Sequence, residues 1–326
     1  MTLPAILDAS EMGIIFAIMA LGVYISFRVL NFADLTVDGS FVTGGAVAAV
    51  MIVNGYSPIL ASLAALIAGF FAGCITGLLH TKGKINDLLS GILMMLALYS
   101  INLRIMGLTL EDGVSRPNIP LLNSDTIFTK VGDFFNSIGL GDYGILIFMI
   151  IVTLIFKFLT DYFLKTEMGL SIRATGDNQR MIRSFSANTD GLIILGLGIS
   201  NAFVAFSGAL IAQYNQFSDV GMGIGMIVVG LASIIIGEAI FGKKTIARTT
   251  LAVVFGAIIY RIFITIALNQ GILDASDQKL VTAVIVILAL VLPKLIDKQR
   301  EKNRKAKHKL QGKSNSKANG EGESVA

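Results

Sequence analysis

Residues 13–53 read "GIIFAIMALGVYISFRVLNFADLTVDGSFVTGGAVAAVMIV", two apolar runs separated by a short polar break. The first run extends from Gly13 to Phe27 and the second from Phe41 to Val53; Asn31, Asp34 and Asp38 lie between them. The same alternation of apolar runs and short polar junctions recurs along the chain. Of its 326 residues 54% are hydrophobic and 15% are charged, where a soluble domain carries roughly 25% charge. Mean hydropathy is +0.75. Apolar stretches of about 18 residues or more are long enough for helices to cross a bilayer. The expected fold is all-α: a polytopic transmembrane helical bundle.

About nine spans are expected, near 11–29, 36–54, 57–79, 88–106, 143–160, 190–213, 222–241, 246–269 and 279–297, with broken helices admitted at the second and seventh. Basic residues on cytoplasmic loops then set the sides. Lys82 and Lys84 follow the third span, Lys165, Arg173, Arg180 and Arg183 the fifth, and Lys243, Lys244 and Arg248 the seventh. The loop 107–142, on the other side, holds Glu111, Asp112, Asp125, Asp133 and Asp142 against Arg116 and Lys130. The N-terminus is expected outside and the C-terminus inside. Residues 1–297 form the transmembrane domain. Residues 298–326, rich in Lys, Ser, Asn and Gly without an apolar face, form a basic, disordered cytoplasmic tail. The opening residues carry no basic segment of the kind that begins a signal peptide. In loop 107–142 a short amphipathic helix is expected near 126–138; an extracellular partner surface and a plain cap over the bundle are equally open readings.

Several chemistries are excluded. The single Cys74 lies within an apolar run, and His80 and His308 have no second ligand at metal spacing. "GEAIFGKKT" at 237–245 approaches a phosphate loop, but Lys244 occupies the hydroxyl position and a membrane span precedes it. "GMGIG" at 221–225 has no following strand-and-helix unit. We expect no cofactor, no metal site, no catalytic residues and no nucleic-acid partner. The chain is not an enzyme, and any ATP-driven step needs another subunit. "GFFAGCITG" at 69–77 sets small residues four apart, which suits close helix packing in lipid.

"KTEMGLSIRATGDNQRMIRSFSANTDG", residues 165–191, is too polar to span and too patterned to be slack. Met168, Ile172, Met181, Ile182 and Phe185 fall near one helical stripe, with Arg173, Asp177 and Arg180 on another side. Gly176 is the expected interruption, and Thr189 or Asp190 the cap of the next span. Lipid-surface helices are Lys/Arg-rich on their polar side; the mixed signs here favour a protein partner.

This segment resembles the cytoplasmic coupling region of ABC importer permeases of the branched-chain amino acid type. "GIIFAIMALGVYISFRVLNFADLTVDGSF" resembles the first two spans of that family. "LLHTKGKINDLLSGILMMLALYSINLRIMG", 78–107, resembles a subgroup described as tryptophan/tyrosine permeases. The resemblance extends to about Lys294. It implies a permease domain in a bacterial plasma membrane, paired with a second permease copy as a homodimer or pseudodimer, the homodimer being the expected form. A cytoplasmic ATP-binding subunit would dock at Glu167, Arg173, Gly176, Asp177 and Arg180. An extracellular solute-binding protein would deliver a small polar solute, an amino acid and within that class an aromatic one. The alternative from another class is an ion-coupled secondary transporter using Asp34 or Asp38, which needs no docking helix.

For the acids of the opening stretch two readings stay open. Asp34 or Thr36 caps the second span in a short turn, or the polar break enters the bundle and lines a route for solute. A second run, from Gly191 to "QYNQFSDVGMGIG" at 213–225, echoes the first in the opposite direction, as in inverted repeats with interrupted helices. Candidate pathway residues are Asn31, Asp38, Asn102, Arg104 and Arg261, with Tyr99 beside them. Arg261 either meets a carboxylate, from Asp219 or from solute, or snorkels outward. Its depth differs from that of Glu238 by roughly 18 Å at 1.5 Å per residue, which disfavours a direct pair.

Overall fold

The computed structural model describes residues 3–108, 115–122, 124–137, 139, 143–185 and 187–268, and beyond these only 280, 282–284, 287 and 291. Among the described residues lie α1 (Leu3–Tyr24), α2 (Thr36–Val53), α3 (Pro58–Thr81), α4 (Asp87–Gly107), α5 (Ile127–Ser137), α6 (Tyr143–Lys165), α7 (Glu167–Ser184), α8 (Thr189–Tyr214), α9 (Met226–Phe241) and α10 (Ile246–Leu268). Strands β1 (Asn118–Pro120) and β2 (Phe217–Asp219) pair antiparallel, with Asn118 opposite Asp219. Among the described residues eight helical segments, the seventh running from Val220 through a 3₁₀ turn to Phe241, are long and apolar enough to cross a membrane. They coincide with the first eight expected spans. The ninth, 279–297, lies outside the described residues apart from scattered positions, and so does the tail 298–326.

Burial sorts the spans into a centre and a rim. Along their most apolar stretch α1 and α8 are 83% buried, against 28% for α4. The rim helices turn large apolar side chains outward, among them Ile59, Leu63, Ile67 and Phe71 on α3 and Leu154 and Phe158 on α6. Lipid tails are as apolar as leucine, so helix association rests on close packing rather than on burial from water. The packing around α8 is backbone against backbone. A Cβ on Gly44 of α2 would lie 1.8 Å from the Ala205 carbonyl oxygen, and one on Gly73 of α3 would lie 2.1 Å from that of Leu197. Gly69 and Gly77 also face α8, so the small-residue stripe of 69–77 serves packing within this bundle.

The polar break enters the bundle. α1 continues through a π-helical turn, Ile25–Val29, and Asn31 takes a left-handed conformation with φ 52°. The chain then runs without helical structure to α2. Asp34 bonds to Asn201, which lies roughly 18 Å along α8 from Thr189 at 1.5 Å per residue. That is near the midpoint of this 26-residue helix, so α2 begins deep inside. α9 mirrors it. Its 16 residues cover roughly 24 Å, less than the ~30 Å of hydrocarbon. Strand β2, a 3₁₀ turn at Val220–Gly223 and Gly225 (φ 88°) precede it. Spans two and seven are thus unbroken helices that each start within the bundle after a non-helical segment.

Two local expectations are corrected. The segment 165–190 leaves helical geometry at Asn178 (φ −156°, ψ 88°), not at Gly176. Asn178 Oδ1 accepts the Met181 N–H at 3.1 Å and so starts the second piece. Gly176 stays helical because its missing side chain is needed for contact: a Cβ there would lie 2.0 Å from the Val29 carbonyl oxygen. The cap of α8 is Asn188, which accepts the Gly191 N–H at 3.1 Å. Thr189 and Asp190 instead bond Arg183, at 2.8 and 2.7 Å.

Candidate functional site

Asp34 and Asp38 hold the starts of α2 and α9 in place. Asp34 is fully enclosed. Its Oδ1 accepts the Thr36 N–H at 3.0 Å, at the start of α2, and its Oδ2 accepts from Asn201 Nδ2 at 2.6 Å. Thr36 in turn bonds the Thr76 hydroxyl of α3 at 2.8 Å. Asp38, one turn further on, reaches α9. Its Oδ2 accepts the Gly225 N–H at 2.9 Å and its Oδ1 the Ile227 N–H at 2.8 Å. The first amides of a helix have no partner within it and carry its positive dipole end. A carboxylate is the natural occupant, so Asp38 on the first turn of α2 caps the first turn of α9.

Asp38 also borders a cavity of about 240 Å³ between α2, α4 and residues 220–224, with Tyr99 and Asn102 in its wall. Asn102 Nδ2 donates to the Gly39 carbonyl at 3.2 Å, while its buried Oδ1 has no partner among the described residues. On the other face of the same segment is a cavity of about 610 Å³, bordered by Phe16, Tyr260 and Arg261. Ile224 borders both. Asp38 and Asn102 are thus brought together, and Arg261 lies across the 217–225 segment from them. Asn31 and Arg104 are exposed and border neither cavity.

Loop 107–142 is stitched onto this segment. Beyond the β1–β2 pairing, the Leu121 N–H donates to the Gln216 carbonyl and the Val220 N–H to the Pro117 carbonyl, each at 2.8 Å. Gln213 Oε1 accepts the Ile127 N–H of α5 at 3.1 Å, and its Nε2 donates to Ser62 at 2.8 Å. Phe128 meets the Tyr214 ring edge-to-face. The described residues of 115–137 are therefore bonded to the bundle at the end opposite α7.

At the α7 end the docking candidates separate. Glu167, Asp177 and Arg180 are exposed, among the exposed apolar side chains Met168, Leu170, Met181 and Phe185. Arg173 faces inward, onto a cavity of about 430 Å³ shared with Arg28, Lys243 and Lys244. Glu238 pairs with Arg28. Depth disfavours a direct pair with Arg261; the partner found lies in the π-helical turn that continues α1, at the same end of the bundle as the α9 terminus.

Sequence reasoning missed Asn201 and the α6 pair. Lys157 Nζ lies 2.5 Å from Asp161, both side chains are buried, and Thr250 donates to the other carboxylate oxygen at 2.6 Å. Charges at i and i+4 inside an apolar run are the signal for that pair. Asn201, an isolated amide in the middle of a long apolar helix, gives none.

Eight spans among the described residues, two of whose helices start within the bundle around a carboxylate, with an exposed amphipathic helix at one end, have the build of a transport subunit. The chain belongs to the family of branched-chain amino acid transport system permease components, matched over residues 5–290. It is 43% identical to a tyrosine transport system permease protein of Clostridioides difficile, over 86% of this chain and 89% of that one. An uncharacterised protein of Rickettsia prowazekii is 36% identical, over 87% and 96%. The ribose import permease protein RbsC of Escherichia coli is 25% identical, over 84% and 80%. The family comprises membrane subunits of ABC transporters, not enzymes, and membership implies an ATPase partner and a solute-binding partner. It gives no support to the ion-coupled alternative.

Proposed function

We propose that this permease imports an amino acid with an aromatic side chain, delivered by a solute-binding protein at the end of the bundle that carries the β1–β2 pair. The observation that carries a route at this place is the meeting of α2 and α9 at Asp38 beside a cavity. Cargo moving here passes fixed helix starts rather than a lipid-like wall. Asn31, Asp38, Asn102, Arg104 and Arg261 belong to that route, with Asp38 and Asn102 central and Asn31 and Arg104 at its two mouths. The amino-acid class is supported by the tyrosine permease relative.

In this reading the α7 end is cytoplasmic, the N-terminus lies outside the bacterial plasma membrane, and residues 298–326 form a cytoplasmic tail beyond the permease domain. The exposed face of α7 docks the ATPase through Glu167, Asp177 and Arg180, while Arg173 and Gly176 set α7 against the bundle. Two copies pair through apolar rim faces. The test is uptake of labelled L-tyrosine into proteoliposomes holding the permease, its ATPase and its binding protein. ATP-dependent uptake is expected, and Arg180→Glu with Asp177→Lys should release the ATPase on purification while the permease still inserts. Absence of uptake for every aromatic amino acid would overturn the cargo class. An unchanged complex would overturn the docking surface.

A further inference from the structure

The 610 Å³ cavity has mainly apolar walls, among them Met12, Phe16, Ile211, Met222 and Ile264, and one guanidinium. Arg261 Nη2 meets the Met12 sulfur at 2.9 Å, and the charge lies 5.6 Å from the Phe16 ring centroid. Among the described residues its Nε has no hydrogen-bond partner and no carboxylate lies within ion-pair distance of it. Glu11 and Asp219 are engaged elsewhere. Glu11 accepts from the Tyr214 hydroxyl at 2.8 Å, and Asp219 accepts the Gly221 N–H at 2.6 Å.

A thioether is a weak acceptor, and a guanidinium carries five donors. Ionisable groups at membrane depth are costly, and they mark ligand or ion routes by default. The Arg261 head group is turned onto α1, against Met12 and Phe16, so outward snorkelling does not account for it.

We propose that this cavity binds a carboxylate attached to an apolar or aromatic body, with Arg261 taking the carboxylate oxygens. The planar fork of a guanidinium matches two such oxygens. The volume is that of a small-molecule site, and Phe16, Met222 and Tyr260 offer surface for the body. The proposal rests on the reading of the chain as an amino-acid permease, and it names the part of the cargo that the permease itself recognises.

The test uses the detergent-solubilised full chain carrying Cys74→Ser and a reporter, Asn215→Cys, in the cavity wall. The rate of its modification by N-ethylmaleimide is measured with millimolar 3-phenylpropionate or the uncharged 3-phenylpropionamide. The acid should slow modification at least threefold and the amide should not. Arg261→Gln should abolish the protection and Arg261→Lys should retain part of it. Equal protection by acid and amide, protection by neither, or full protection in Arg261→Gln would each overturn the proposal. The acid–amide comparison decides by itself should Arg261→Gln not fold. Neither transport nor the partner subunits enter the assay, so its failure is distinct from failure of amino-acid uptake.

Discussion

Removing the Asp38 carboxylate should unseat the start of α9. Its two oxygens accept the Gly225 and Ile227 N–H groups at 2.9 and 2.8 Å. Hydrogen bonds to a charged group contribute about 1.5–3 kcal/mol each, so Asp38→Ala forfeits roughly 3–6 kcal/mol gross. Water reaching the amides from the adjacent cavity restores part of this. The net cost comes to about 2–3 kcal/mol, at or above the upper end for a lost helix cap. Asparagine keeps one acceptor oxygen, so Asp38→Asn should lose about half as much, roughly 1–1.5 kcal/mol. The assay is denaturant unfolding of the purified permease in mixed micelles, alongside reconstituted uptake at matched protein abundance. The expected order of stability is wild type, Asn, Ala, with uptake impaired in both variants. Unchanged stability of Asp38→Ala would refute the capping argument. Full uptake by Asp38→Asn would remove this acid from the route.

Asp34→Asn would be silent if Asp34 merely capped a surface turn, since asparagine also caps well. Its enclosure against the Asn201 amide sets two donors face to face in one orientation of the new side chain. We expect a loss of about 1–3 kcal/mol by the same unfolding assay. Gly44→Val should prevent accumulation of folded permease, because its Cβ would lie 1.8 Å from a backbone oxygen that no rotamer can move; Gly55→Ala, with open space around it but φ 84°, should be mild by comparison. Lys157→Met strands the buried Asp161 and should cost about 3–5 kcal/mol, most of it recovered in Lys157→Met/Asp161→Leu. With Cys74→Ser as background, Ser124→Cys should react with an impermeant thiol reagent on intact cells and Ser314→Cys should not; the reverse pattern would invert the membrane orientation.

Much of this protein is legible without coordinates. Lipid demands long apolar helices whose backbone is satisfied internally, so the positions of the first eight spans follow from hydropathy alone. Eight spans are found where the apolar runs lie. The amphipathic pattern of 165–191 likewise announces a helix that does not span, because a stripe at helical spacing is a local property. What a one-dimensional reading could not decide is depth and partnership. Asn31 to Asp38 suits a surface turn as well as a re-entrant segment; only its contact with Asn201, near the middle of α8, places it inside. The kink of α7 lies at Asn178 because Gly176 is needed against the Val29 carbonyl, a contact made across the chain. Asp38 caps α9 from 187 residues away, and Glu238 finds Arg28 across 210. Hydropathy and helical period are written into neighbouring residues, whereas the seating of a charge depends on which distant backbone ends beside it, and that is set only when the helices pack.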